Sequence, residues 1–186
     1  PGAQTTGAGG SKQSRSMALR APSHHAAERR DVRPTGPTMD VLAEHEGKIF
    51  AVLAIDAPGE LISPFSGDMF PCLIWDHDGR FTGAQRSETA SRLLLAGCRY
   101  AVCGGRNCAA WHDAFDEEFL AQHVDGSHEA RDAAHVMTTL HDDETPDDVA
   151  FFFVMNTNFD DHDFERYLVL HVGDDETTQR ELDAAV

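Results

Sequence analysis

Cysteine and histidine side chains with the spacing of a chemical site lie in the middle of this chain. Cys103, Cys108 and His112 follow the pattern C-x4-C-x3-H. Thiolates and imidazoles are the ligands that Zn²⁺ takes in tetrahedral sites, and a structural site needs four of them. The spacing therefore offers zinc as a cofactor, with Cys72 or His77 as the fourth ligand. The alternative is a packed cysteine–histidine core that holds no cofactor.

A nucleophilic site is the second chemistry that the same stretch offers. Cys108 is expected at the N-terminus of a helix, where the helix dipole would stabilise its thiolate. His112 follows one turn later as a base, and Asp116 follows one further turn on, where it would orient the imidazole. Against this, three side chains in series along one helix point outward in parallel and do not converge. Cys108, His112 and Asp116 are the catalytic candidates.

A helix, a buried strand, a glycine turn and a second helix are predicted to position these residues. Ser87 is expected to cap the first helix. Residues 98–103 (CRYAVC) form the strand, because β-branched and aromatic residues favour one. The pair Gly104–Gly105 allows a tight turn, and Asn107 caps the second helix. The apolar stripe of that helix consists of Cys108, Trp111, Phe115 and Phe119.

The sequence AGCRYAVCGGRNCAAWHDAFDE resembles an uncharacterised bacterial family of small α/β domains. In that family a strand ending in glycine leads to a helix that bears Cys, His and Asp. The resemblance covers mainly residues 93–118 and, more loosely, the final pair of strands. It implies a domain boundary near Met39 and a site at Cys108, His112 and Asp116, and it assigns no reaction.

Strands and helices alternate through the rest of the chain and predict its fold class. The other predicted elements are a strand over 48–56, a hairpin over 70–81, a helix over about 127–140, strands over 149–156 and 166–172, and a C-terminal helix after Gly173. This order predicts an α/β fold: one three-layer-like domain over residues 39–186, with a mixed, mostly parallel sheet flanked by helices.

Acidic residues form a third candidate site at the predicted strand ends. Ligands of open α/β sheets gather at the carboxyl ends of strands, and clustered oxygen ligands suit Mg²⁺ or Ca²⁺. The candidates are Asp56, Asn156, Asp160, Asp161, His162, Asp163, Asp174 and Asp175. No alternating calcium-loop pattern accompanies them, so the competing interpretation is a set of solvated turns.

The first 38 residues differ in character from the remainder. They are rich in Gly, Ser, Thr, Pro, Ala and Arg, without an apolar period, which is typical of a disordered basic tail. A cloning remnant, an over-extended gene start and a transit-like leader are the other interpretations. Residues 39–186 are opposite in charge, because they hold nine of the 15 Lys and Arg but 30 of the 32 Asp and Glu, a formal net charge of −21.

Charge and cysteine content narrow the range of expected partners and locations. A strongly acidic surface repels phosphate backbones and anionic lipid, so nucleic-acid or membrane binding is not expected. Four cysteines in 186 residues make no disulfide framework, and Cys98 and Cys103, five apart on one strand, are expected on opposite faces of a sheet. Reduced thiols and no apolar run long enough to span a membrane favour a cytoplasmic location.

Two functional hypotheses remain. The first is a non-enzymatic binding or accessory domain, of an immunity or regulatory kind, whose acidic surface engages a basic protein partner. The second is a thiol- or metal-dependent hydrolase centred on Cys103, Cys108, His112 and Asp116.

Overall fold

The computed structural model describes residues 39–186 except 63, 64, 66, 125 and 159–162. The prediction of a tail over residues 1–38 lies outside these residues. Within the described part of the chain, six strands form one sheet: β1 (Asp40–His45), β2 (Lys48–Ile55), β3 (Phe70–Asp76), β4 (Cys98–Gly105), β5 (Met137–Leu140) and β6 (Arg166–Val172). Their order across the sheet is β1-β2-β6-β3-β4-β5. The last five strands in this order are parallel, and β1 pairs antiparallel with β2.

Helices cover both faces of the sheet within the described residues. They are α1 (Gly83–Ala96), α2 (Cys108–Gln122), α3 (His128–Ala133), α4 (Pro146–Asn156) and α5 (Glu176–Ala185), with a 3₁₀ turn over Pro58–Glu60. Buried residues of α1 and α2 pack on one face of the sheet, and buried residues of α4 and α5 pack on the other. The predicted fold, a single three-layer α/β domain with a mixed, mostly parallel sheet, is confirmed.

The predicted hairpin over residues 70–81 is wrong, because the chain enters a helix after β3 and does not return as a strand. Thr82 and Gln85 form a capping box: the Thr82 hydroxyl oxygen accepts from the Gln85 amide, and the Gln85 side chain accepts from the Thr82 amide. Helix α1 therefore starts at Gly83, and Ser87 lies inside it and is not its cap. Gly97 ends the helix in the left-handed conformation, φ 111°.

The predicted strand over residues 149–156 is also wrong, because this run forms helix α4. Thr145 accepts a hydrogen bond from the Asp148 amide, Pro146 occupies the first turn, and Asp147 and Asp148 supply negative charge there. Local start signals thus outweigh the β-propensity of the phenylalanines. Similarly, the predicted helix over 127–140 divides into the short α3 and the strand β5.

All four cysteines are free and buried, as expected for reduced thiols. Cys98 and Cys103 lie in the same core cluster, so the expectation of opposite faces is wrong. The pairing between β3 and β4 shifts by one residue after Phe70, which pairs with Cys98 while Pro71 pairs with Tyr100. This irregularity at the start of β4 accounts for the change of face.

Candidate functional site

The parallel strands end at one edge of the sheet, and a groove of about 540 Å³ opens there. The segments that follow β3, β4, β5 and β6 contribute to it, together with α5. Six carboxylates line it: Asp76, Asp142, Asp143, Glu144, Asp175 and Glu181. Arg106 is the one Arg or Lys among the lining residues, and His77 and His141 are the histidines. We call this feature the carboxylate groove.

Asp76, the last residue of β3, anchors the floor of the groove. Its side chain is 1% exposed. One carboxylate oxygen accepts from the Gly79 amide at 2.7 Å, and the other accepts from the indole Nε1–H of Trp111 at 2.9 Å. Both oxygens are therefore engaged inside the protein, and Asp76 ties α2 to the end of β3.

The glycine pair at the end of β4 serves the packing of this floor. A Cβ on Gly104 would lie 2.8 Å from the ring of Trp75, and a Cβ on Gly105 would lie 2.4 Å from the carbonyl oxygen of Asp76. Gly105 also has φ +75°, which side chains rarely tolerate. The pair thus lets β3 and β4 approach closely just before Arg106 enters the groove.

A chain of hydrogen-bonded side chains leads from α5 to the groove. His171 of β6 lies 3.0 Å through Nε2 from Asp183 Oδ1 and 3.0 Å through Nδ1 from Nε2 of His77. His171 is 1% exposed, whereas His77 is half-buried. Burial lowers the pKa of His77, and the neighbouring His171 lowers it further, against the opposing effects of Asp175, Asp76 and Asp78. Burial and His171 thus both favour the neutral form of the His77 imidazole.

His141 forms a second, separate histidine site in the groove wall. Its Nδ1 lies 3.1 Å from Glu144 Oε2, and its Nε2 lies 3.1 Å from Thr139 Oγ1. The ring also packs on Phe152, with centroids 4.5 Å apart. Both ring nitrogens thus have protein partners, in contrast to His77.

The structure separates the predicted catalytic residues into two groups. The Cys108 thiol lies 3.7 Å from Asp142 Oδ1. His112 and Asp116 both contact Thr138 on β5: the hydroxyl donates to Asp116 at 2.9 Å and lies 3.2 Å from His112 Nε2. His112 Nδ1 is also 3.8 Å from Asp116, so these two residues do meet as the sequence suggested. The hydrogen bonds of Cys108 and His112 lead to different partners.

The environment of the thiols opposes their ionisation. Burial raises the pKa of Cys108, and the adjacent Asp142 raises it further, so the expected stabilisation of a thiolate by the helix dipole is outweighed. Burial likewise raises the pKa of Cys72 and Cys103, and raises that of Cys98 to about 12. Asn107 adopts the left-handed conformation before α2 and makes no side-chain cap, because its amide donates to the carbonyl of Gly79.

The metal candidates form no ligand cluster in the part of the chain that the structure describes. No three His, Cys, Asp or Glu side chains there are arranged to hold a metal ion, and this includes Cys103, Cys108 and His112. The two candidates for a fourth ligand lie in different parts of the domain, since Cys72 is in the core and His77 is in the groove wall.

The acidic candidates are placed unevenly. Asp56 and the pair Asp174–Asp175 follow β2 and β6 at the carboxyl edge, as expected. Asn156 ends helix α4 and follows no strand, so its placement at a strand end is wrong. Asp163 precedes β6 and lines a different cavity, of about 400 Å³, with Asp68 and Arg166. Residues 160–162 lie outside the described residues.

Sequence reasoning named His77 and Asp175 as candidates but missed Asp76, His171 and Asp183. The prediction places Asp76 and His77 in a hairpin and Asp183 in the C-terminal helix. One signal was available: His171 interrupts the apolar run of β6 (RYLVLHV), and a polar residue inside a buried strand needs a partner. The identity of that partner depends on tertiary structure.

The fold and the groove define a class of protein: a three-layer α/β domain with an open cleft at the carboxyl edge of a mostly parallel sheet. A model of the family described as Domain of unknown function (DUF7684) matches residues 50–186, so the chain belongs to this family. No curated protein and no solved structure matches it. Among the described residues, no helix has the length and apolar character needed to cross a membrane.

Proposed function

We propose that this domain binds a basic protein partner and receives an arginine or lysine side chain of that partner in the carboxylate groove. The observation that carries the proposal is the lining of the groove, where six carboxylates face one arginine. In open α/β sheets the carboxyl edge is where ligands bind, and a cleft lined by one sign of charge concentrates ligands of the opposite sign.

The carboxylates differ in how free they are to bind. Asp76 is fully engaged, and Asp175 caps α5 by accepting from the amides of Thr177 and Thr178. Asp143 and Glu181 are exposed, and they approach the groove from the β5–α4 loop and from α5. Together with Asp142 they are the acceptors that we assign to the partner's basic group.

The charge of the domain supports the same proposal at longer range. Residues 39–186 carry a formal net charge of −21, which attracts basic partners and repels nucleic acid and anionic membranes. A cytoplasmic location and a bacterial host belong to this proposal; the first is supported by four free cysteines and the second by the sequence resemblance. The alternative is a thiol- or metal-dependent hydrolase. The observations that support binding outweigh those that support this alternative.

The test uses short peptides of alternating arginine and glycine, with lysine and glutamine counterparts, and titration calorimetry at low and near-physiological salt. The groove variant is Asp142→Asn/Asp143→Asn/Glu181→Gln. The matched control, Glu117→Gln/Glu129→Gln/Asp132→Asn, removes the same charge from exposed positions on α2 and α3.

We expect the basic peptides to bind in a salt-sensitive manner, and the groove variant to bind about tenfold more weakly, since each exposed ion pair contributes about 0.5 kcal/mol. The control variant should change affinity less than twofold. Equal weakening in both variants would show general attraction to the surface, and the groove assignment would then be wrong. Absence of binding to the unmodified protein would refute the proposal altogether.

A further inference from the structure

The hydrogen-bonded chain from Asp183 through His171 to His77 determines whether Nδ1 of His77, in the groove wall, carries a proton. A carboxylate oxygen only accepts hydrogen bonds, so His171 must donate to Asp183 through Nε2–H. When both imidazoles are neutral, each carries a proton on one nitrogen alone, so Nδ1 of His171 accepts. His77 must then donate through Nε2–H across the 3.0 Å contact, which leaves its Nδ1 with a lone pair.

This Nδ1 is a buried acceptor that lacks a partner among the described residues. Buried polar atoms in proteins are nearly always paired, so an exception calls for an explanation. The His77 ring belongs to the groove wall, beside Arg106, whose Nε donates to the His77 carbonyl oxygen at 3.1 Å. The exposed Arg106 side chain is thus held against the backbone of His77 at the groove wall.

We propose that Nδ1 of His77 is the acceptor for an N–H of the basic group bound in the carboxylate groove, and that His171 and Asp183 are positioning residues that hold it in the accepting tautomer. This inference rests on the proposed function and names the specific contact within it. An arginine or lysine head group carries several N–H donors, of which the carboxylates take some and His77 takes one.

The direct test is nitrogen NMR of the histidine rings in the unmodified protein at pH 7.5, without and with the arginine peptide. We expect His77 to carry its proton on Nε2 and to show an unprotonated Nδ1, whose resonance shifts when the peptide saturates the groove. A proton on Nδ1 in the free protein, or an Nδ1 resonance that the bound peptide leaves unchanged, would overturn the inference.

Two histidine variants supply the matched comparison. His77→Ala removes the acceptor, whereas His141→Ala removes a groove histidine whose two nitrogens are already bonded to Glu144 and Thr139. We expect about tenfold weaker peptide binding for the first, as for a lost hydrogen bond to a charged group, and less than twofold for the second. Equal effects would assign His77 a merely structural role and overturn the inference.

The positioning role has its own readout. Asp183→Ala removes the acceptor for His171, so both imidazoles should sample two tautomers and their ring nitrogen resonances should move to averaged positions. Peptide affinity of the same variant should fall severalfold, because less of the protein holds His77 in the accepting tautomer. Unchanged His77 resonances in this variant would remove Asp183 and His171 from the proposal. Peptide binding that is sensitive to the groove carboxylates but not to His77 would leave the proposed function standing and reject this inference alone.

Discussion

Two histidine clusters of this domain illustrate different ways of bringing polar residues together. Cys108, His112 and Asp116 lie at intervals of one turn on a single helix, and their contacts run along its surface to Thr138 and Asp142. His77 directly follows β3, His171 lies in the adjacent parallel strand β6, and Asp183 lies on the helix that follows β6.

The two clusters differ because their side chains project in different directions. Side chains one turn apart on a helix project side by side, so their contacts are spread along its surface: Cys108 contacts Asp142, whereas His112 and Asp116 share Thr138. The ends of parallel strands and the adjoining helix approach one place from several sides, so their side chains converge. The second cluster is therefore the one that borders a groove.

The largest effect should come from cutting the link between the groove floor and α2. Asp76→Ala leaves the Trp111 indole N–H and the Gly79 amide without their acceptor, which should lower the free energy of unfolding by about 3 kcal/mol. Asp116→Ala is the control on the surface of α2; its half-exposed carboxylate loses one bond to Thr138, and we expect about 0.5 kcal/mol. Urea unfolding at pH 7.5 measures both. Equal losses would erase the distinction between the two clusters.

Peptide affinity should depend on pH through His77. Because burial and His171 hold the pKa of His77 below its usual value of 6.5, the acceptor is free at neutral pH, and affinity should be constant there. Below that lowered pKa, protonation of Nδ1 removes the acceptor, and affinity should fall by about tenfold in total, as expected for His77→Ala. Asp76, Asp78 and Asp175 are the carboxylates near the ring. Hydrogen bonds from Arg80 and from Thr178 hold the pKa of Asp78 and of Asp175 below its usual value, so these two stay ionised where His77 titrates.

The control for this pH profile is His112→Ala, because His112 belongs to the cluster on α2. The profile should be the same in this variant as in the unmodified protein when calorimetry is repeated between pH 5 and 8. A profile that flattens in His112→Ala would place the titrating group in the other cluster and contradict the prediction.

The smallest effect concerns the reactivity of Cys108. Burial and Asp142 raise the pKa of this thiol, so little thiolate is present at pH 7.5 and alkylation of the native protein should be slow. Asp142→Asn removes the nearby negative charge and should accelerate alkylation of Cys108 severalfold, as followed by peptide mass mapping. Rapid reaction of Cys108 in the unmodified protein would instead favour the thiol site that the sequence suggested.

The sequence predicted the layers of the fold better than its individual elements. The strands over 48–55 and 166–172 and the β4–α2 unit were predictable because apolar runs and glycine turns are local signals. Helix α4 was not, since the run VAFFFVMN has a strand-like composition. Its start signal, Thr145-Pro146 followed by two aspartates, was present and decided the outcome.

The candidate site was less predictable for a physical reason. Asp76 and His171 lie 95 positions apart in the chain and become neighbours only because β6 pairs with β3. Spacing along the sequence favours clusters within one helix. It therefore predicted a site around His112, and it did not predict that His77 meets His171. Strand order, which no local pattern encodes, determines which distant residues meet.

The position of β6 between β2 and β3 also bears on how the domain is assembled during synthesis. The strand nearest the C-terminus is the one that joins the β1–β2 hairpin to the β3–β4–β5 segment, since β2 and β3 share no pairing of their own. A ribosome that has not yet released residues 166–172 therefore carries two unjoined parts of a sheet. The nascent chain has to keep the exposed edges of β2 and β3 from pairing elsewhere until β6 emerges.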